Sequence, residues 1–372
     1  MKILYDGHVY RMQPVGGISR YLTNLVSRLP EDWTPVITIG NTKPSECRQL
    51  KTPVHPNLVL KRFPTPYLRP RKLLDWTAKR YFDRIEFKDG FSLIHSVHHG
   101  SLASDSRVKR PVPFVLTVHD MIPEIFSQEL DPQGHDAEAK RKAVESADAV
   151  ICVSENTRRD LLDRIPIPDE RVFVTPLASA LSREISLGDE PVPEQPYFLF
   201  VGTRHAKYKN FARLLRAFAR AAEKQTELAL CIVGPNFNPM ESKLLRELKI
   251  EGRVINPGPI SDPHLAKLYR CSRALIYPSL YEGFGIPPLE AMACGSLAVV
   301  SNTPSLTEVT GPAALRIDPH SIDSLVDGLL QVCGLDQRRR QASIEQGMAW
   351  AARFQWSKTA SDTFKIYRTV VT

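Results

Sequence analysis

"YFLFVGTRHAKYKNFARLLRAFARAAEK", residues 197–224, shows the fold in miniature. Tyr197 to Val201 are apolar without polar alternation, the pattern of a strand buried on both faces. A basic loop carrying Arg204, His205, Lys207 and Lys209 follows, and an amphipathic helix begins near Asn210. A covered strand running straight into a helix is the repeating unit of a parallel sheet, because parallel neighbours need a long crossover. Downstream the same rhythm recurs as "ELALCIVGP", "MESKLLREL", "RVINPGPI", "DPHLAKLYRCS", "ALIYPSL", "PPLEAMAC" and "LAVVSN". Upstream, "KILYDG" precedes the glycine loop "VGGIS" and a helix with Ile18, Tyr21, Leu22, Leu25, Val26 and Leu29 on one face. Strand candidates "PVITIG", "SLIHSV", "PFVLTVHD" and "AVICVS" complete that half.

The fold class is therefore α/β, with two Rossmann-like doubly wound domains, as a length of 372 residues leads one to expect. Between them "PLASALSREISLGDEPVPEQP" carries four prolines and no apolar period, which is a linker signature. The predicted division is an N-terminal domain over 1–180, a linker over 181–195, a C-terminal domain over 196–350 and a last helix within 351–372. That tail has helical spacing at Phe354, Ser357, Thr363, Ile366 and Tyr367. Ligands of open α/β sheets bind beyond the carboxyl ends of the strands, so loops that follow strands are the places to look.

Composition narrows the function classes. No stretch approaches the roughly 20 apolar residues of a membrane span, and "MKILYDG" is too short an apolar run for a signal peptide, so a cytoplasmic location is expected. Six cysteines without metal-ligand spacing read as buried, reduced thiols. The net charge of +8 concentrates in the segment 61–88, closed by Asp89, where nine basic residues face four acids with Trp76, Tyr81, Phe82 and Phe87 between them. Such a segment is either a peripheral contact for an anionic membrane surface or a solvated basic face. Nucleic acid is not the expected partner, since no reading motif accompanies the charge.

Four loops carry candidate chemistry. Arg204 and Lys209 sit ahead of a helix N-terminus, where backbone N–H groups already favour an anion, and a phosphate fits that description. Gly16 and Gly17 permit close backbone approach without making a dinucleotide fingerprint or a P-loop. His119 and Asp120 directly follow an apolar strand, placing an imidazole within reach of a sugar hydroxyl with the carboxylate to fix its tautomer. In "YEGFGIPPLEAMACG", Glu282 precedes Gly283, Phe284 and Gly285, and Pro287 and Pro288 place Glu290 in the first turn of a helix. Helix capping alone accounts for Glu290. Carboxylates for adjacent hydroxyls beside bare amides for an anion together describe a site for a sugar joined to phosphate.

On these residues the chain resembles the retaining, nucleotide-sugar-dependent glycosyltransferases of family 4, which have the GT-B fold. The likeness runs through "TVHD", "VSENTRRDLL", "VGTRHAKYKNF", "PGPISDPHLAKLY" and "YPSLYEGFGIPPLEAMACGSLAVVSN", the last holding two glutamates with seven residues between them. "VGGISRY" and "VHDMIPEIF" look closest to mannosyltransferase-like members from bacterial surface-polysaccharide clusters, whose acceptors are saccharides or lipid-linked saccharides. The resemblance implies that Glu282 contacts the transferred sugar and Glu290 the ribose. It implies that Arg204 and Lys209 hold the donor diphosphate, with Gly16, Gly17 and the amides of Gly283, Phe284 and Gly285 alongside. His119 falls near the reaction centre and the base near Ile260 and Ser261. GDP-mannose is the first donor expected. Where the family often has "P-R-K-N", this chain has "RHAKYKN", so Lys207 either replaces or supplements Lys209 in the phosphate role. No D-x-D occurs, and neither a metal nor a cofactor is expected. The alternatives are a nucleotide-sugar epimerase or a phosphorylase on the same scaffold, and a non-catalytic binder of nucleotide sugar or nucleic acid.

Overall fold

The structure is a computed structural model that describes residues 1–12, 16–39, 54–62, 90–99 and 112–372. Within them the chain forms two compact units, Met1–Leu177 with Trp356–Thr372, and Ala178–Gln355. Most of the basic segment 61–88 lies outside the described residues.

In the first unit the strands are β1 (Lys2–Asp6), β2 (Thr34–Ile39), β3 (Val59–Arg62), β4 (Leu93–Ser96), β5 (Phe114–Val118), β6 (Ala149–Cys152) and β7 (Val172–Val174). All pair in parallel, in the order β3-β2-β1-β4-β5-β6-β7. The second unit has β8 (Tyr197–Val201), β9 (Ala229–Val233), β10 (Val254–Gly258), β11 (Ala274–Tyr277), β12 (Ala298–Ser301) and β13 (Leu315–Ile317). Its order is β10-β9-β8-β11-β12-β13, also parallel. Each sheet thus reverses its winding once, between β1 and β4 and between β8 and β11. Both units are Rossmann-like, and each reversal opens a crevice at the carboxyl ends of the two flanking strands.

Continuous apolar strands produce this burial. Phe198, Leu199 and Phe200 are wholly buried, and the helix Phe211–Lys224 lays Leu214, Leu215, Ala217, Phe218 and Ala221 onto that sheet. The edge strands β3, β7 and β13 are short and half-exposed, which is why no apolar run announces them.

Residues 181–195 are not a free linker. Helix Asp262–Cys271 holds that stretch against the second unit: Arg270 donates to the carbonyls of Ser182, Arg183 and Ile185, Lys267 to those of Gly188 and Glu190, and His264 Nε2 to that of Pro191. The stretch lacks an apolar period because its backbone carbonyls, rather than its side chains, do the anchoring.

The last helix, Trp356–Val371, belongs to the first unit. Its Phe364 ring lies edge-on to Trp33 and its Tyr367 ring tilted to it, with centroids 5.4 and 6.4 Å away. The Tyr367 hydroxyl lies 2.5 Å from His95 Nδ1 and 3.2 Å from the Tyr5 hydroxyl. His95 Nε2 lies 2.8 Å from Thr117 Oγ1, which meets the Tyr21 hydroxyl at 3.2 Å. Phe354 parts from the other tail aromatics: it packs edge-on against Phe284 of the second unit, 5.9 Å between centroids, because the chain leaves that unit only after Gln355.

Burial, with His119 adding to it, lowers the pKa of His95 to about 3, so its ring is neutral and both nitrogens are engaged. Tyr367→Phe strands one of them, and a buried unsatisfied group costs about 1–3 kcal/mol. Urea unfolding followed by circular dichroism should show that loss; an unchanged midpoint would mean the hydroxyl contributes nothing. The pH dependence has a definite sign. A ring whose folded pKa lies below the ordinary value of about 6.5 stabilises fully above that pH, and the contribution fades as pH falls toward the folded value. Melting temperature should be flat above about pH 7 and decline from about pH 6.5 downward, less steeply in His95→Gln. A profile of the same slope in that variant would absolve His95.

Candidate functional site

The richest cluster surrounds the winding reversal of the second sheet. The loop after β8 brings Arg204 and Lys209, and the loop after β11 brings Glu282. Lys209 Nζ donates to Glu282 Oε1 at 2.7 Å and lies 3.4 Å from the Tyr277 hydroxyl, with both side chains largely buried. Burial alone pulls an ammonium pKa down, but Glu282, Tyr277 and Tyr208 outweigh it and leave Lys209 raised well above the usual value. It is a fixed positive charge with a resident counter-ion.

Asn210 makes this geometry possible. It adopts the left-handed conformation at φ 60°, which asparagine tolerates better than most side chains. From there Nδ2 donates to the carbonyls of Pro278 and Pro319 at 3.0 and 2.7 Å, and Oδ1 accepts from Arg213 at 2.7 Å. The Leu280 amide also donates to the Tyr208 carbonyl at 2.7 Å. The loops after β8, β11 and β13 are thereby tied together. Lys207 begins the short 3-10 turn Lys207–Lys209, and it is Lys209, next to Asn210, that reaches Glu282.

Arg204 turns inward. Its side chain is 0% exposed. Nε donates to Glu241 Oε1 at 3.0 Å, and Nη2 approaches Glu241 Oε2 at 3.3 Å and the Pro235 and Asn236 carbonyls at 2.6 and 3.1 Å. The rings of Phe211 and Phe237 flank the guanidinium at 5.3 and 5.0 Å.

Gly285 is N-cap of the helix Ile286–Ala293 at φ 105°, where a Cβ would meet Leu306 at 2.6 Å. Phe284 points into the protein, 4% exposed, so only its backbone is offered to a ligand. Because the helix starts at Ile286, Glu290 lies past its first turn, and capping does not account for it. It is buried on the helix with Oε2 accepting from the Tyr269 hydroxyl at 3.3 Å. Ser261 caps the helix Asp262–Cys271 through the His264 amide and donates to Glu190 at 3.1 Å, while Ile260 precedes it half-buried.

In the first unit, Gly16 is the extended N-cap of the helix Gly17–Val26. His119 follows β5, its Nε2 donating to the Val97 carbonyl at 3.1 Å and its ring edge-on to Tyr21 at 5.4 Å. The carbonyl, rather than Asp120, fixes the tautomer, since Asp120 Oδ1 accepts from the Ile122 amide. Burial, partly opposed by Asp120, lowers His119 to about 4, so the ring is neutral with Nδ1 as its acceptor. His98 and His99 stack nearby in sequence after β4, at 4.4 Å, both lowered by burial. Glu241, Asn210, Tyr277 and Tyr269 escape a reading of motifs. Only the capping pattern Asn238-x-x-Glu241 carried a sequence signal.

Comparison with known proteins bears on the family and the fold. The model for glycosyl transferases group 1 matches residues 182–349, and that for glycosyltransferase family 4 matches residues 15–181. O-antigen chain mannosyltransferase B of Escherichia coli is 29% identical over 320 residues, which is 81% of this chain and 78% of that protein. The serotype-specific mannosyltransferase WbdA of Escherichia coli is 26% identical over 295 residues, 74% of this chain but 35% of the relative, so the chain spans about a third of WbdA. Sucrose-phosphate synthase from Thermosynechococcus elongatus superposes with a TM-score of 0.80 at 21% identity, covering 99% of this chain and 98% of the other. With one family model over each half and a shared two-unit architecture, the chain is a glycosyltransferase of the GT-B, family-4-like kind.

Proposed function

We propose that the chain moves a hexose, mannose in first place, from a nucleoside-diphosphate sugar to a saccharide or lipid-linked saccharide, with retention of configuration and without a metal counter-ion. GDP-mannose is the donor this reading puts first, in keeping with the mannosyltransferase names of its relatives. The observation that carries the proposal is the Lys209–Glu282 pair at 2.7 Å, set where β8 and β11 part, ahead of Gly283 to Gly285.

Breaking the bond between the anomeric carbon and phosphate builds negative charge on the leaving diphosphate. Lys209 and Arg204 stabilise that charge more in the transition state than in the ground state, and being held in place they need little reorganisation to do so. Glu282 accepts from hydroxyls of the transferred sugar and Glu290 from those of the ribose. The amides of Gly283, Phe284 and Gly285, with Gly16 and Gly17, serve the phosphates and sugar, and Ile260 and Ser261 border the base. His119 offers Nδ1 to a sugar hydroxyl. Double displacement needs a carboxylate nucleophile beneath the sugar. In the reading preferred here the acceptor instead attacks on the face the leaving group vacates, and a diphosphate oxygen takes its proton. The basic segment 61–88 supplies peripheral contact with an anionic membrane surface, where lipid-linked acceptors reside; no described helix is long and apolar enough to cross a membrane.

Purified protein given a panel of nucleotide sugars and saccharide acceptors should release nucleoside diphosphate fastest with GDP-mannose. Lys209→Ala should slow release about 100-fold, the scale of losing one preorganised charge donor, and Glu282→Ala should lower it as well. Release that both variants leave intact would reject this site, and a product of inverted configuration by proton NMR would reject retention. Conversion of donor to another nucleotide sugar without acceptor would identify an epimerase. Separately, changing Lys72, Lys79 and Arg80 to Glu should reduce partitioning onto phosphatidylglycerol vesicles. Unaltered partitioning would leave the segment a solvated face.

A further inference from the structure

Arg204 is held by its neighbours in an unequal way. Nε and Nη2 between them meet both oxygens of Glu241 and the carbonyls of Pro235 and Asn236, while Nη1 is buried with no hydrogen-bond partner among the described residues. Buried donors are nearly always satisfied, so an unsatisfied one on an otherwise saturated guanidinium calls for a reason. Its surroundings supply one. A Cβ at Gly234 would meet the Gly202 carbonyl oxygen at 2.5 Å and lie 3.1 Å from Nη1, and a Cβ at Gly202 would project into open space. Both glycines follow strands, β8 and β9, and both have positive φ, 137° and 159°. The backbone beside Nη1 is therefore bare at the carboxyl end of the sheet, where a ligand arrives.

Glu241 is itself locked. Its carboxylate accepts from the Asn238 amide at 2.9 Å, and its own amide donates to Asn238 Oδ1 at 2.9 Å, a reciprocal cap on the helix Pro239–Glu247. One rigid helix end thus grips one edge of the guanidinium and leaves the other edge unengaged.

We propose that Glu241 is a positioning residue: it holds Arg204 by Nε and Nη2 so that Nη1 is the nitrogen presented to the donor's diphosphate, past Gly202 and Gly234. The inference rests on the donor reading above and adds to it a residue outside every motif that reading used. A planar guanidinium fixed along one edge has a single direction in which to donate from the other, and holding it there ahead of binding removes an ordering cost from the bound state.

The test measures binding of GDP and UDP by calorimetry, donor KM and kcat, and melting temperature for the wild type, Glu241→Gln, Glu241→Ala, Asn238→Ala, Arg204→Ala and the Arg204→Ala/Glu241→Ala pair. Glu241→Ala should weaken nucleoside diphosphate binding and raise donor KM about tenfold or more, the scale on which partners behind a ligating group usually act. Glu241→Gln, which keeps one acceptor oxygen, should recover part of it. Asn238→Ala removes only the Oδ1 half of the reciprocal cap and keeps the backbone amide that holds the Glu241 carboxylate, so it should lower the melting temperature while affinity stays within about twofold. In the Arg204→Ala background, Glu241→Ala should cause no further loss of affinity, because the two act as one unit. The proposal is overturned if Glu241→Gln binds both nucleotides as the wild type does, if Asn238→Ala loses affinity as Glu241→Ala does, or if the two losses add in the double variant. Should Glu241→Ala fail to fold, Glu241→Gln decides. A folded wild type that binds neither nucleotide sinks the donor reading itself, and this inference with it.

Discussion

A buried ammonium persists only beside a counter-charge, and Lys209 has Glu282. The rest of the second unit's site is arranged around that need. Holding the two at 2.7 Å requires that loops from two different strands arrive together, and neither loop contains the means to do so alone. Asn210 provides it by taking a backbone conformation that favours few residues and using the resulting direction of its amide to bind the carbonyls of Pro278 and Pro319. Strain of this kind persists where surrounding bonds over-determine it, and it gathers at functional sites.

Much of this was legible in the sequence, and the reasons are physical. Strands buried on both faces must be continuously apolar, so β8, β9, β11 and β12 stand out as runs, and the crossover helices follow from parallel pairing. The edges β3, β7 and β13 did not show, because a short edge strand has one neighbour and no need of an apolar run. The stretch 181–195 read as a linker because its attachment is made by Arg270, Lys267 and His264 from a helix some eighty residues away, and a local window does not see such partners. Among the candidate residues, those marked by local chemistry were legible: Lys209 before a helix, Glu282 among glycines, His119 after a strand. Glu241 and Tyr277 were not, since each acts through a contact that exists only once the sheet has brought distant loops together.

The first unit follows a different logic. Its histidines are not charged reserves: burial keeps His95 and His119 neutral, and each has a ring nitrogen fixed by a partner, Thr117 in one case and the Val97 carbonyl in the other. A neutral imidazole suits contact with hydroxyls, whereas an imidazolium would compete for an anion. Tyr21 touches both systems, sharing Thr117 with His95 and meeting His119 edge-on, so the last helix, through Tyr367, is packed into the same network that seats His119.

The two cations of the second unit share one device. Each is buried, and each has a resident carboxylate, Glu282 for Lys209 and Glu241 for Arg204. Such pairs are weak sources of stability, since desolvation offsets much of their attraction, and both stand at the sheet's crevice. Their difference is informative. Glu282 lies in a glycine-flanked loop beside the crevice and has a function of its own in the sugar reading, so its pair with Lys209 is one that a diphosphate and a hexose can divide between them. Glu241 is fixed in a helix cap, and its carboxylate is divided between that cap and Arg204. A ligand that exchanges partners at Lys209 and merely completes them at Arg204 meets one adaptable charge and one rigid one. Rigid charge is what preorganised stabilisation of a leaving group requires, and in the proposed reading Arg204 supplies it.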